Sequence, residues 1–348
     1  MTSPRSLSKS RSFSVFIRLR ALFFLLALTA HSVGSASGQS SASSNVTGQV
    51  ATCIVPSSDP QAQPPPLEGS VSQANPTIEL VCQGDTVTAV PDNLAKVCKP
   101  STTAPAARAS DSLSDCKTSD DKQCSVDSLL FPGTQAAWKD VTSALKAAST
   151  QKRYQLTIPK EGFPVLDQQF FVGCTKNGVQ NISCQVNITV NARASEVSAD
   201  NVVTCAYGKE SNKTPVAVTL TPEKNSFTLK CGSEGTQTPA EKDSYCSGTS
   251  VDACDLKKLT SIIPKAEASW WADVVANQSM KFTIPTDKFP SADTVFLVGC
   301  KKPEKEKDAT SCNVKVTVKS SAASGFQGAF SFGVVSAVVL AVSSALFA

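Results

Sequence analysis

The sequence predicts an all-β protein made of two tandem, disulfide-bonded β-sandwich domains joined by a short linker. Three observations carry this: a nineteen-residue stretch that occurs twice, twelve cysteines that form two matching sets of six, and apolar residues that recur at every second position.

Leu156 to Cys174 reads L-T-I-P-K-E-G-F-P-V-L-D-Q-Q-F-F-V-G-C, and Phe282 to Cys300 reads F-T-I-P-T-D-K-F-P-S-A-D-T-V-F-L-V-G-C, without a gap at an offset of 126. Ten of the nineteen positions are identical. A chain of 348 residues has room for two such domains of ordinary size. The first domain is expected over residues 50–191, on a framework of Cys53, Cys82, Cys116, Cys124, Cys174 and Cys184. The second is expected over residues 202–319, on Cys205, Cys231, Cys246, Cys254, Cys300 and Cys312. Cys116 and Cys124 are eight apart, as are Cys246 and Cys254, and Trp138-Lys-Asp-Val matches Trp271-Ala-Asp-Val. On that alignment about nineteen extra residues lie between the second and third cysteines of the first domain. They carry Cys98, which has no counterpart and is expected to be free or joined to another chain.

Cys184-Gln-Val-Asn-Ile-Thr-Val190 and Cys312-Asn-Val-Lys-Val-Thr-Val318 put Val186, Ile188, Val190 and Val314, Val316, Val318 on one face, the pattern of half-buried strands. Thr86 to Val90, Val216 to Leu220 and Ser226 to Cys231 read the same way, with Pro, Gly and Asn turns between them. Gln135 to Ala148 is the one segment with a helical pattern. Asn191 to Asn201, polar and free of cysteine, is the linker. The outcome is a sandwich with short irregular helical pieces.

The ends have a different character. Residues 1–20 hold five basic side chains and no acid, Ala21 to Ala30 is apolar, and small residues follow, so residues 1–38 are expected to be a cleaved secretory signal. Ser320 to Gly325 is a run of small residues and Ala329 to Ala348 is almost wholly apolar, with no basic residue behind it. This is the pattern of a glycosylphosphatidylinositol (GPI) attachment signal over residues 320–348, with Ser321 the expected lipidated residue. Thirteen cysteines after a secretory signal fit an oxidising compartment and the outer leaflet of the plasma membrane.

Charge and composition exclude several classes. The formal charge of +4 comes from the first twenty residues, because residues 39–320 hold 28 basic and 29 acidic side chains; a nucleic-acid partner is not expected. The single histidine, His31, lies in the signal segment, which removes Ser-His and Cys-His catalysis and His-ligated metals, and no C-x-x-C occurs. No cofactor, metal or catalytic residue is expected. Asn45, Asn181, Asn187, Asn212 and Asn277 are N-glycosylation acceptors, with Asn187 expected to face outward from its strand. Lys146, Lys152 and Arg153 are the candidate anion-binding residues, since no acid lies between Asp140 and Glu161. The cluster Lys301, Lys302, Lys305 and Lys307 interleaves with acids and reads as a solvated loop.

Two tandem six-cysteine β domains, the I-P…F-P…F-x-V-G-C stretch in each, a signal peptide and a lipid-anchor tail together resemble the SRS family, the surface antigens of coccidian apicomplexan parasites. The resemblance implies that in each domain the first framework cysteine pairs with the sixth, the second with the fifth and the third with the fourth. It thus implies Cys53–Cys184, Cys82–Cys174, Cys116–Cys124, Cys205–Cys312, Cys231–Cys300 and Cys246–Cys254. It further implies a GPI-anchored antigen that attaches to host cells, in some members through sulfated glycans, that is exposed to host antibodies, and that is often a homodimer. The alternative is a coat protein or immune decoy without a specific host ligand.

Overall fold

The computed structural model describes residues 43–55, 65–101, 112–143, 150–176 and 183–321. The expected signal segment, the apolar tail, Lys146 and Asn181 lie outside these residues.

In the first domain one sheet runs β1 (Asn45–Thr47), β2 (Val50–Ile54), β4 (Thr77–Gln83), β9 (Gln151–Thr157), β8 (Trp138–Asp140). The facing sheet runs β3 (Leu67–Val71), β11 (Ser183–Val190), β10 (Gln168–Lys176), β6 (Val97–Cys98), β7 (Gln123–Cys124), with β5 (Val87–Val90) also paired to β10. The second domain repeats this order. One sheet is β12 (Glu196–Val197), β13 (Val202–Thr204), β15 (Ser226–Lys230), β20 (Ser279–Thr283), β19 (Trp271–Val275). The other is β14 (Val216–Leu220), β22 (Cys312–Val318), β21 (Thr294–Lys301), β17 (Ser244–Ser247), β18 (Asp255–Lys258), with β16 (Thr236–Thr238) on β21. Both domains join their second and third strands in parallel to later strands, β2 to β4 and β3 to β11, then β13 to β15 and β14 to β22.

The period-two pattern explains the packing. Val186, Ile188 and Val190, and likewise Val314, Val316 and Val318, are buried between the sheets. Valine and isoleucine suit such positions because their branched side chains are already restricted and pack well on a pleated surface. The second core is aromatic: Phe282 has ring centroids 4.9 Å from Trp271, 5.7 Å from Phe227 and 5.8 Å from Phe296. Each such pair adds on the order of 0.5–1.5 kcal/mol beyond area burial.

The helix expected over 135–148 is not seen among the described part of that range. Trp138–Asp140 is an edge strand paired to β9, because the Trp138 ring must reach the core as Trp271 does in the second copy. The only α-helix among the described residues is instead α1 (Leu113–Thr118), capped by Ser112, whose Oγ accepts the Asp115 N–H at 3.1 Å. Glu196–Val197, expected in the linker, already pairs with β13.

Five bridges join Cys53–Cys184, Cys82–Cys174, Cys205–Cys312, Cys231–Cys300 and Cys246–Cys254. The sixth differs from expectation. Cys98 bonds Cys116, and Cys124 is the free thiol. Strand register gives the reason. Cys98 on β6 lies opposite Phe171, as Cys246 on β17 lies opposite Leu297, and these partners are 126 apart like the rest of the repeat. Cys98 is therefore the third framework cysteine and Cys116 the fourth. Cys124, opposite Val97, occupies the place of Lys257 opposite Tyr245. The insertion thus lies between the third and fourth cysteines, which are 18 apart here and 8 apart in the second domain.

The shared Val-Gly-Cys ending has a steric cause. A Cβ on Gly173 would lie 2.2 Å from the Cys184 carbonyl oxygen, and one on Gly299 would lie 2.0 Å from that of Cys312. Both glycines let a disulfide-bearing strand pair approach at backbone contact.

Candidate interaction surfaces and the interdomain joint

The repeated F-P-x-x-D segment forms the joint between the domains. Phe163 is buried in the first core, and the four residues after it grip the outgoing chain. The Pro164 carbonyl accepts Arg193 N–H at 2.9 Å and the Val165 carbonyl accepts Tyr207 N–H at 2.6 Å. Asp167 accepts Ala192 N–H on Oδ1 at 2.7 Å and Lys209 N–H on Oδ2 at 3.0 Å. Leu166 packs against the second core. The nearly buried Arg193 pairs with Glu196 and with Glu161 at 3.7 Å, and its guanidinium lies 5.5 Å from the Phe131 ring centroid. Tyr207 is buried beneath, where its hydroxyl donates to the Cys231 carbonyl at 2.7 Å and burial raises its pKa.

At the end of the second domain the same segment holds the final described residues. The Pro290 carbonyl accepts Ser321 N–H at 3.1 Å, and Asp293 accepts Ser320 N–H at 2.9 Å and the Lys319 ammonium at 2.8 Å. The Lys319 hydrogen bond, followed by that of Ser320, holds the Asp293 carboxyl below its ordinary pKa. Ser321, expected to carry lipid, is thus held by its backbone at the edge of the fold.

Of the expected basic site, the two described residues, Lys152 and Arg153, are not brought together. Lys152 and Arg153 are consecutive on β9, so their side chains leave opposite faces of the sheet. Lys152 is exposed, whereas Arg153 points across to β4 and pairs with Glu79 at 2.5 Å, with only 13% of the Glu79 side chain exposed. Arg153 is spent on a partly buried ion pair and adds no net positive field. In the lysine loop, Lys302 Nζ donates to the Ala309 carbonyl at 2.9 Å and closes the loop on itself.

The acceptor asparagines divide. Asn45 and Asn277 are exposed. Asn212 is half-buried, with Nδ2 donating to the Ala206 and Thr310 carbonyls. Asn187, expected to face solvent, is buried: its Nδ2 donates to Glu68 at 2.8 Å and its Oδ1 accepts from Gln185 at 3.0 Å. Alternation did place it on the outer side of β11, but there its amide is engaged by Glu68 on the neighbouring β3 and by Gln185 on its own strand, with Phe171 directly opposite on β10.

Among the described residues no group of three or more His, Cys, Asp or Glu is placed to hold a metal ion, and no helix is long and apolar enough to cross a membrane. Cys124 is half-buried and hydrogen-bonds Ser128; burial is the larger effect and raises its pKa.

This doubled architecture, with its repeated cysteine register, matches the SAG family, described as the SRS domain, over residues 49–190 and again over 201–318. The chain belongs to the SRS-domain family. Its members are surface antigens and not enzymes. Among solved SRS structures, the bradyzoite-specific antigen BSR4 of Toxoplasma gondii is 31% identical, with a TM-score of 0.64, over 80% of this chain and 97% of that one. SporoSAG of Toxoplasma gondii aligns at 19% identity and a TM-score of 0.28 over 73% of this chain and 95% of that one. No curated protein matches. As an SRS protein the chain has a cell-surface place, and the joint residues are the part of its SRS architecture that sequence reasoning passed over. The signal was present: Asp167 and Asp293 are identical across the copies in a segment otherwise explained by packing.

Proposed function

We propose that this protein is a GPI-anchored SRS surface antigen that works as an adhesin, with the first domain outermost and meeting the host cell. The observation that carries this reading is the route of the chain at its exit. β22 ends at Val318, Asp293 and Pro290 hold residues 319–321, and the small-residue run and apolar segment follow directly. A lipid attached within that run puts the second domain beside the membrane. The joint of Asp167, Arg193 and Leu166 then couples the first domain to it, and many laterally mobile copies turn a weak contact into avidity.

A second reading, a coat protein or immune decoy without a specific ligand, is favoured by the surface of the first domain. Arg153 is neutralised by Glu79, Lys96 pairs with Asp120 at 3.2 Å and Lys122 with Asp115 at 3.3 Å. Attachment through sulfated glycans therefore draws no support from these side chains. Two measurements test the proposal. Phospholipase C specific for inositol lipids is expected to release the protein from membranes, and retention alongside a released control defeats the anchor. The released, oxidised protein is then expected to bind host cells saturably. A signal that rises linearly with concentration assigns the coat or decoy role instead.

A further inference from the structure

The outer face of the β10–β11 pair and that of the β21–β22 pair are equivalent surfaces finished differently. In the first domain Phe171 is buried on this face against Val90, Cys98, Leu113 and Cys116, and its cross-strand neighbour Asn187 donates to the Glu68 carboxylate on β3. In the second domain the matching positions are Leu297, Lys315 and, on β14, Ala217. A ring has become a smaller aliphatic side chain, and a carboxylate has been lost beside a residue that is now a cation.

The result is an open apolar groove of about 490 Å³, lined by Pro215, Tyr245, Gly248, Val295, Leu297 and Lys315. That volume lies within the ~300–1,000 Å³ of ordinary small-molecule sites. Val295 is 48% exposed on its wall, next to the buried Leu297 on the same face of the strand. Lys315 is exposed and has no ion-pair partner among the described residues. Its register neighbours are Leu297 and Ala217, so the ammonium stands directly beside two apolar side chains, with Ser247 and Thr249 also lining the groove. A carboxylate meeting an ammonium at an apolar wall is held more strongly than in open water.

Leu297 keeps a cover of its own from Cys246 and Val251, so what the second domain lacks on this face is the bulk of the Phe171 ring and the Glu68 carboxylate. We propose that this groove binds a single-chain aliphatic carboxylate, with the alkyl chain over Leu297 and Val295 and the carboxylate on the Lys315 ammonium. The site is independent of host attachment by the first domain.

The test titrates decanoate into the mature, oxidised protein and follows the NMR resonances of Tyr245, Val295, Leu297 and Lys315. Saturable shifts confined to these residues are expected, with decyltrimethylammonium, of equal chain length and opposite charge, at least tenfold weaker. Ala217→Glu returns the carboxylate of the first domain to the edge strand beside Lys315 and is expected to weaken decanoate at least fivefold. Ala217 is exposed, so the variant should keep the wild-type disulfide map. Lys315→Met gives the same reading should that variant misfold. Absence of saturation, an equal response to both amphiphiles, or decanoate affinity unchanged in both variants overturns the proposal. Shifts that track protein concentration alone also overturn it and assign the groove to a second copy of the chain.

Discussion

Asp293 repeats, one domain later, the contact that Asp167 makes: each carboxylate accepts the backbone N–H two residues past its domain's last strand, Ser320 at 2.9 Å and Ala192 at 2.7 Å. The other oxygen distinguishes the two. Asp167 Oδ2 takes Lys209 N–H of the following domain, whereas Asp293 Oδ2 takes the Lys319 side chain of its own. The residues between differ to match, Val165-Leu166 where a domain docks and the exposed Ser291-Ala292 where none does. One loop thus serves as a joint in the first domain and as a polar cap in the second.

Asp167→Ala is accordingly expected to lose ~1–3 kcal/mol, because two N–H groups at the joint lose their acceptor. Calorimetry should resolve separate transitions for the two domains in the variant and a more merged one in wild type. Asp293→Ala is expected to change stability by no more than about 0.5 kcal/mol while speeding proteolysis at residues 319–321. Equal effects of the two variants would show that the joint is not the site of coupling.

The bridge Cys98–Cys116 closes a loop of 18 residues, for which the chain-entropy model allows on the order of 3 kcal/mol. Cys98→Ser should lower the Tm and leave Cys116 reactive or mispaired, whereas Cys124→Ser should leave Tm and the other bridges unchanged. Non-reducing peptide maps are expected to contain Cys98 linked to Cys116, and a Cys116–Cys124 peptide refutes the assignment. Because burial raises the Cys124 pKa, alkylation of the folded protein should be slower than that of a free thiol and its pH profile displaced upward.

The misassignment of that bridge shows what the sequence could and could not carry. Two equal intervals, Cys116 to Cys124 and Cys246 to Cys254, point to one alignment, whereas Cys82 to Cys98 and Cys231 to Cys246, 16 and 15 apart, point to the other. Register across β10 and β21 decides between them, and register is a long-range property. Strands were legible where period two ran cleanly, as in β11, β14 and β22. Asn187 was misread because alternation names a face without saying what covers it. Lys152 and Arg153 failed as a site for the opposite reason: adjacency in a strand separates side chains. The joint was written in the sequence as an identical Asp, but its partners are backbone groups, which leave no residue signature.

Gly299→Ala is expected to destabilise the second domain by about 1–3 kcal/mol or more, since the new methyl would meet a backbone carbonyl that cannot turn aside. Gly232→Ala is a contrasting control: nothing lies near its Cβ, and its φ of +69° adds only local strain. Thermal unfolding and the yield of the Cys231–Cys300 bridge measure both. Indifference to Gly299→Ala would mean that β21 and β22 can separate at their disulfide end.

Glycan occupancy should follow exposure. Asn45 and Asn277 are expected to carry glycan in the secreted protein, and Asn187 to remain unmodified, because its Nδ2 is committed to Glu68. Enzymatic deglycosylation in oxygen-labelled water, which leaves the heavy oxygen in the Asp formed at each occupied site, followed by mass spectrometry reports each site. A modified Asn187 would require the Glu68 pair to be broken in the folded protein.

Attachment, finally, is expected to be insensitive to the pair of residues that the sequence singled out. Lys152→Ala should leave host-cell binding unchanged, since one exposed ammonium is screened within ~8 Å at physiological ionic strength. Arg153→Ala should instead act through folding. It leaves the Glu79 carboxylate partly buried without its partner, at a cost of about 1–3 kcal/mol. Binding of properly folded Arg153→Ala at low temperature should match wild type, and raising salt should weaken it no more than about twofold. A steep salt dependence, together with loss of binding in Lys152→Ala, would return the contact to a charge-driven ligand such as a sulfated glycan. It would also require Lys152 to act with basic side chains other than Arg153, because the sheet divides those two between its faces.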